Sequence, residues 1–343
     1  MLRILHGADL HLDSPFSALS PELAARRRQL QRQLPGKIVD LANERRCDLL
    51  LLAGDVFDGA RVCPETMTAL ARALGRFRGR VFVAPGNHDP YHDRSPWAMT
   101  VWPENVYIFT GKPEAVDLPQ CRVWGGAFTT AQCYDGLPAV PTDGRPQIGV
   151  FHGDPEAPGP YRWLSPDDLR GCGLDYLALG HIHRTQLPKK LGKTWYGWPG
   201  VTLGRGFDEC GVHGVFDTRL EDGRCETEFV LIPGPRYEAC TVAYGQTPAL
   251  PADTGDFICR LTVTGEADEP DFAALRRALE PRFLSLELRD ETVPVRDLWA
   301  SCGDGTLRGL ALSALKKQLD DGEHAADLAA RYLLAALEGG DTP

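Results

Sequence analysis

The sequence predicts an α/β fold of the α+β kind, and three observations carry that prediction. Short apolar runs recur through the first two-thirds of the chain, each bounded by polar residues or glycine. Stretches with apolar residues at three- and four-residue spacing separate the earliest of these runs, as amphipathic helices do. From Thr194 onward the runs follow one another with turn signals between them instead of helices.

Residues 2–5, 47–52, 80–84, 147–151 and 174–179 read as buried strands. Leu30, Leu34, Ile38 and Leu41 mark a helix between the first two, and Pro35-Gly36 inside it predicts a break or kink. Residues 64–77 predict a second helix with proline in its first turn. Residues 194–198, 213–218 and 225–232 read as antiparallel strands, the last two joined by a turn at Glu221-Asp222-Gly223. Pro233-Gly234-Pro235 marks a boundary or sharp corner.

Beyond that corner, Phe257, Cys259, Leu261 and Val263 alternate with Ile258, Arg260, Thr262 and Thr264 in a half-buried strand. A helix over 270–279 and a second alternating strand with Leu284, Leu286 and Leu288 complete a small α/β module. Two helical stripes close the chain: Leu307, Leu310, Ala314, Leu315 and Leu319, then Ala325, Leu328, Ala329, Tyr332, Leu333, Ala336 and Leu337. The expected domains are therefore residues 1–240, a small cap at 241–295 and a C-terminal helical segment at 296–343.

A hydrophobic content of 43% with 24% charged residues fits a globular protein, and the longest aliphatic run, residues 49–53, is far too short to cross a bilayer. The first apolar run begins almost at Met1, so no removable signal peptide is expected in front of the fold. Ten cysteines without a CxxC pair read as reduced thiols, and the expected compartment is the cytoplasm. A net charge of −10 excludes a chain that coats nucleic acid through a general basic surface. It leaves room for an enzyme whose divalent ions outweigh its active-site carboxylates.

Five segments follow these runs in order: Asp9-Leu10-His11, Gly54-Asp55-Val56-Phe57-Asp58, Gly86-Asn87-His88-Asp89, His152-Gly153-Asp154 and Gly180-His181-Ile182-His183. Asp9 and His11, two residues apart, can reach the same side of an extended chain. Asp55 can bridge two metals, Asn87 offers a neutral oxygen, and His152, His181 and His183 offer imidazole nitrogens. With no cysteine among them, the set favours manganese, iron or zinc in a mixed oxygen and nitrogen shell over a structural zinc cage. Two adjacent divalent ions suit a phosphoryl displacement, because they can hold the attacking and leaving oxygens together. The placement after strand ends predicts one edge of one sheet, with glycines 54, 86, 153 and 180 allowing close turns. His6, His92, His213 and His324 read as surface or satisfied core residues. Asp13, Asp89 and Asp154 read as hydrogen-bond acceptors behind the ligands.

This ordered set resembles the calcineurin-like metallophosphoesterase superfamily over residues 1–240. The resemblance implies a layered β-sandwich core with flanking helices. It places Asp9, His11, Asp55 and His183 on one metal, and Asp55, Asn87, His152 and His181 on the other, with a bridging hydroxide as nucleophile. His88 matches the non-ligand histidine that stabilises the pentacovalent phosphate and protonates the leaving oxygen, and Asp58 matches the carboxylate that pairs with and orients that histidine.

Within the superfamily the chain is similar to the SbcD-type DNA-repair exonuclease subunits, in their YhaO-like bacterial branch. Residues 8–15, 54–58 and 177–183 carry that likeness, with Trp198-Pro199-Gly200 and Arg205-Gly206-Phe207-Asp208-Glu209. It implies manganese-dependent 3′ to 5′ hydrolysis of DNA and a capping domain. It also implies an SMC-like ATPase partner (SbcC/YhaN-type) at the C-terminal helices, and homodimers through catalytic-domain helices. Arg94, Arg184, Arg205 and the Lys189-Lys190 pair are candidate phosphate contacts. Two other readings are a phosphatase or phosphodiesterase for a small nucleotide or phosphoprotein, and a mainly non-catalytic subunit that organises an ATPase on DNA. The complete ligand set and His88 argue against the second.

Overall fold

A computed structural model describes residues 1–138, 140–141, 144–155, 157–251, 253–295 and 297–338. In chain order the elements are β1 (Leu2–Gly7), α1 (Pro21–Glu44), β2 (Leu49–Leu52), α2 (Pro64–Gly75), β3 (Arg80–Val83), α3 (Pro96–Met99) and β4 (Val106–Ile108). Next come β5 (Glu114–Asp117), β6 (Arg122–Gly126), β7 (Gln147–His152), α4 (Pro166–Gly171), β8 (Tyr176–Gly180), β9 (Gln186–Leu191) and β10 (Thr194–Trp198). The chain continues through β11 (Gly214–Glu221), β12 (Arg224–Leu231), β13 (Arg236–Ala243), β14 (Phe257–Glu266), α5 (Phe272–Leu279), β15 (Ser285–Val293), α6 (Leu307–Asp320) and α7 (Ala325–Glu338).

Two six-stranded sheets form the core, in the orders β12-β11-β1-β2-β3-β4 and β5-β6-β7-β8-β10-β9. A third sheet has the order β13-β14-β15. Side-chain alternation explains the layering. On β2, Leu50 and Leu52 pack with Leu34, Ile38, Leu70 and Leu74 of α1 and α2, whereas Leu49 and Leu51 pack with Val123, Ile148, Val150, Tyr176 and Ala178 of the second sheet. The far face of that sheet carries Phe151, Leu177 and Leu179 against Leu169 of α4. With both faces covered, each central strand reads as a continuous apolar run.

The single sheet edge expected from the strand-end motifs is thus two facing sheets, as the family resemblance implied. Strand periodicity tells which residues share a face but not which sheet lies opposite. The break expected at Pro35-Gly36 is absent, and α1 runs on through Pro35. Leu34, Pro35, Ile38 and Val39 are all buried there, so packing outweighs the hydrogen bond that proline forfeits. Strand β10 pairs antiparallel with β9 but parallel with β8, which corrects the wholly antiparallel reading from Thr194 onward. The hairpin between β11 and β12 turns on Asp222 and Gly223, both at positive φ, which suits a two-residue loop.

Contacts divide the chain into two compact units. One comprises Met1–Ala239, Pro251–Arg260 and Glu280–Glu287; the other comprises Cys240–Leu250, Leu261–Leu279 and the described chain from Leu288 onward. In the second unit α6 and α7 pack around Leu298, Leu312, Ala330 and Leu334. The stripes expected on these helices are displaced, because Leu307, Leu310, Leu328, Tyr332 and Leu337 face solvent. Both helices carry alanine and leucine on several faces, and spacing alone does not select the buried one. Among the described residues, no helix is long and apolar enough to cross a membrane.

Candidate metal centre

The carboxyl ends of β1, β2, β3, β7 and β8 converge where the two sheets face each other. Asp9 and His11 follow β1, Asp55 and Asp58 follow β2, and Asn87 and His88 follow β3. His152 ends β7, and His181 and His183 follow β8. Past their strands, the first two loops stay paired. Asp9 N–H donates to Gly54 O (3.1 Å), His11 N–H to Asp55 O (2.9 Å), Leu12 N–H to Val56 O (2.8 Å) and Asp58 N–H to Leu12 O (3.0 Å). Asp9, His11, Asp55 and His181 adopt positive φ values of 50°, 44°, 50° and 100°. Such backbone costs about 1–3 kcal/mol per non-glycine residue and tends to persist where function demands it. Gly86 permits a close approach to a ligand, since a Cβ there would stand 2.2 Å from Asp55 Oδ1.

All seven sequence-predicted donors meet here. His11 Nε2 lies 3.3 Å from His183 Nε2, and Asp9, His11 and His183 offer ligand atoms within 4.8 Å of one another. Asp9, Asp55 and His152 form a second such group. Asp55 Oδ2 sits between the two, 4.0 Å from His11 Nε2 and 3.3 Å from His152 Nε2. Asn87 Oδ1 lies 2.9 Å from His152 Nε2, and the His181 ring centroid lies 5.2 Å from that of His152. His181 N–H also donates to both Asp9 oxygens, and His88 N–H to Asp55 Oδ1.

Hydrogen bonds on the outer side of the rings show that this set fits divalent ions. His152 Nδ1 faces the Ala53 carbonyl at 2.9 Å, an acceptor only, so Nδ1 carries the proton. Its Nε2 then points with a lone pair at the oxygens of Asp55 and Asn87. His183 Nδ1 faces Glu209 Oε1 at 2.8 Å, which likewise turns the Nε2 lone pair toward His11. Converging acceptors need a cation among them. Without one, protons must serve: burial lowers the proton affinity of His152, but Asp55 and Asp9 outweigh it and lift its pKa to about 9. Burial, aided by the charge on His152, pushes His181 down to about 4, so this ring is a ready neutral donor. Asp55 is held well below the usual carboxylate range, because His152 and His11 outweigh the effect of burial.

Asp58 does not act as expected. Its Oδ1 lies 3.2 Å from His11 Nδ1 and 2.7 Å from Arg205 Nη1. The His88 ring faces the main-chain carbonyl of Asp58, with Nδ1 at 3.2 Å, and not its carboxylate. The spacing of the GDxxD segment brings Asp58 to the site, where its carboxylate engages Arg205 and His11 more closely than His88. Arg205 is correspondingly no free phosphate contact, since it pairs with both Asp58 and Glu209. Lys189 and Lys190 lie over the rings of Trp198 and Trp195. Of the three carboxylates expected behind the ligands, Asp89 braces the ligand loops, whereas Asp13 bonds to the start of α2 and Asp154 to Ala157 N–H. Asp13 takes Cys63 N–H and Thr66 Oγ1, and Asp89 takes the N–H groups of Val56, Phe57 and Gly86. His6 is a satisfied core residue between Tyr176 and Leu179.

Sequence reasoning quoted Glu209 without giving it a role. Its partner His183 stands 26 residues earlier, beyond any local spacing rule. Gln31 was also missed. From α1 its Nε2 donates to His11 O (2.8 Å) and steadies the first ligand loop.

Comparison with known proteins agrees with this geometry. The calcineurin-like phosphoesterase family matches residues 2–185. The uncharacterized metallophosphoesterase YhaO of Bacillus subtilis (strain 168) is 30% identical over 330 residues, spanning 87% of this chain and 80% of that protein. The SbcD component of nuclease SbcCD from Rhodobacter capsulatus is 38% identical over 94 residues, 26% of this chain and 22% of that protein. With its donors at the ends of two facing sheets and the family matched across the ligand-bearing strands, this chain belongs to the calcineurin-like phosphoesterases and is a metallophosphoesterase.

Proposed function

We propose that this metallophosphoesterase is a DNA exonuclease acting in DNA repair, which hydrolyses phosphodiesters in the 3′ to 5′ direction with manganese as its working metal. The observation that carries the reading is a cavity of about 1150 Å³ lined by the segments just past Asp58 and His88. Arg61, Arg72 and Arg94 line it, and none of the three is in an ion pair among the described residues. On a chain of net charge −10, three uncommitted guanidinium groups lining one cavity suit a polyanion better than a small ester. The local likeness to a nuclease component points the same way.

The residues divide the work. When bound, two divalent ions would polarise the phosphoryl oxygens and supply a hydroxide at neutral pH. Asp9, His11, Asp55 and His183 would hold one, and Asp55, Asn87, His152 and His181 the other. His88, exposed and edge-on to His11 with ring centroids 4.9 Å apart, donates through Nδ1 to Asp58 O and keeps Nε2 for the departing oxygen. An SMC-like ATPase would dock on α6 and α7, which expose Leu307, Leu310, Leu328, Tyr332 and Leu337.

Degradation of end-labelled linear DNA with manganese tests this reading. His88→Ala should cut the rate on DNA roughly 100-fold or more. Replacing Arg61, Arg72 and Arg94 by alanine should raise KM for DNA and spare a small bis-aryl phosphodiester. Rapid cleavage of the small ester with linear DNA untouched would instead favour a small nucleotide substrate. Co-migration with an SMC-like ATPase, lost in Leu310→Glu, tests the partner.

A further inference from the structure

Behind the imidazoles runs a chain of charged groups with a defined order. Glu209 Oε1 lies 2.8 Å from His183 Nδ1 and 2.7 Å from Arg205 Nη2. Arg205 Nη1 lies 2.7 Å from Asp58 Oδ1, which in turn stands 3.2 Å from His11 Nδ1. The chain therefore starts behind one imidazole and ends behind the other of the pair whose Nε2 atoms are 3.3 Å apart. Glu209 is built in firmly. Its side chain is 4% exposed, and its Oε2 accepts from the backbone N–H of Arg205 at 2.8 Å.

We propose that Glu209 and Arg205 are positioning residues of the metal centre. Glu209 accepts the Nδ1–H of His183 and so presents Nε2 as a lone pair. A free imidazole can turn either nitrogen inward, and an acceptor on the outer side fixes both tautomer and ring angle. Arg205 has a different task. His11 belongs to two groups of potential ligands: one with Asp9 and His183, the other with Asp58 and His88. A released Asp58 carboxylate would complete the second group and draw an ion away from the bridging carboxylate of Asp55. By engaging Asp58 Oδ1, Arg205 reserves His11 for the first group and keeps His88 clear of metal. This proposal rests on the reading of the site as a metal centre, and is independent of which phosphoester is cut.

The test follows manganese uptake by metal-free protein, with no phosphoester present, using calorimetry and the electron paramagnetic resonance signal of free and bound ion. Glu209→Ala should weaken binding at one site about 10- to 100-fold. Glu209→Gln, whose amide oxygen can accept the same hydrogen bond, should restore most of that loss. Arg205→Ala should change the spectrum of the bound ion, because Asp58 becomes available as a ligand. Wild-type affinity in Glu209→Ala, equal losses in the Ala and Gln variants, or an unchanged Arg205→Ala spectrum would each overturn the positioning role. Wild-type protein that takes up no manganese would overturn the metal-centre reading itself, and this proposal with it.

Discussion

Metal uptake at this centre should release protons, and the structure sets the size of the effect. His152 Nε2 lies 3.3 Å from Asp55 Oδ2, and the two carboxylates Asp55 and Asp9 overcome burial to raise its pKa to about 9. At pH 7 the metal-free ring sits about two pH units below that value, so nearly all of it is protonated. A cation needs the Nε2 lone pair and must displace that proton, at a cost of about 2.7 kcal/mol, or roughly 100-fold in apparent affinity. Manganese affinity should therefore climb about tenfold per pH unit from pH 7 and level off near pH 9. His183, also raised because Glu209 and Asp9 outweigh its burial, adds to the proton release. His181, at about 4, is already neutral and adds nothing. Calorimetric titrations at pH 7 in two buffers of different ionisation enthalpy would count the protons released. An affinity independent of pH between about 6.5 and 8.5, with no proton released, would refute the reasoning.

Three further outcomes follow from individual contacts. Gly86→Ala would drive a Cβ to 2.2 Å from Asp55 Oδ1 and 2.7 Å from Asp55 N. The displaced carboxylate should lower manganese stoichiometry, and a variant that still binds two ions with unchanged affinity would contradict its bridging position. Asp58→Asn should weaken manganese binding as well as turnover, because the carboxylate stands behind His11 and not His88. Reduced turnover at unchanged metal affinity would return Asp58 to a role on His88. His6 is fully buried, and desolvation pushes its pKa down to about 3 against an unfolded value near 6.5. Its contribution is complete above about pH 6.5 and is lost as pH falls toward 3, a swing of up to about 5 kcal/mol. Urea unfolding of His6→Gln should therefore show a shallower decline between pH 6.5 and 4, by about 1.4 kcal/mol per pH unit, and parallel curves would sink the assignment.

What was legible in the sequence, and what was not, follows from the range of each interaction. Central strands β1, β2, β3, β7 and β8 announced themselves because both faces are buried, and the donors announced themselves because they follow those strands. The edge strands β5 and β9 did not, since Glu114–Asp117 and Gln186–Leu191 bury little and lack apolar alternation. Local periodicity is equally silent about what lies opposite a face. The same five segments could have lined one sheet, but the alternation of Leu49 and Leu51 with Leu50 and Leu52 serves two packed layers. The outer hydrogen bonds lie furthest from view. Nothing in the spacing of GDxxD distinguishes a carboxylate turned toward His88 from one turned toward His11, because the deciding group, Arg205, comes from a loop 147 residues later. Inner donors are fixed by the strand that carries them, whereas the groups that orient them are fixed by packing between distant loops. A family motif can therefore place a ligand correctly and still leave open which ring its neighbour serves, as it does for Asp58.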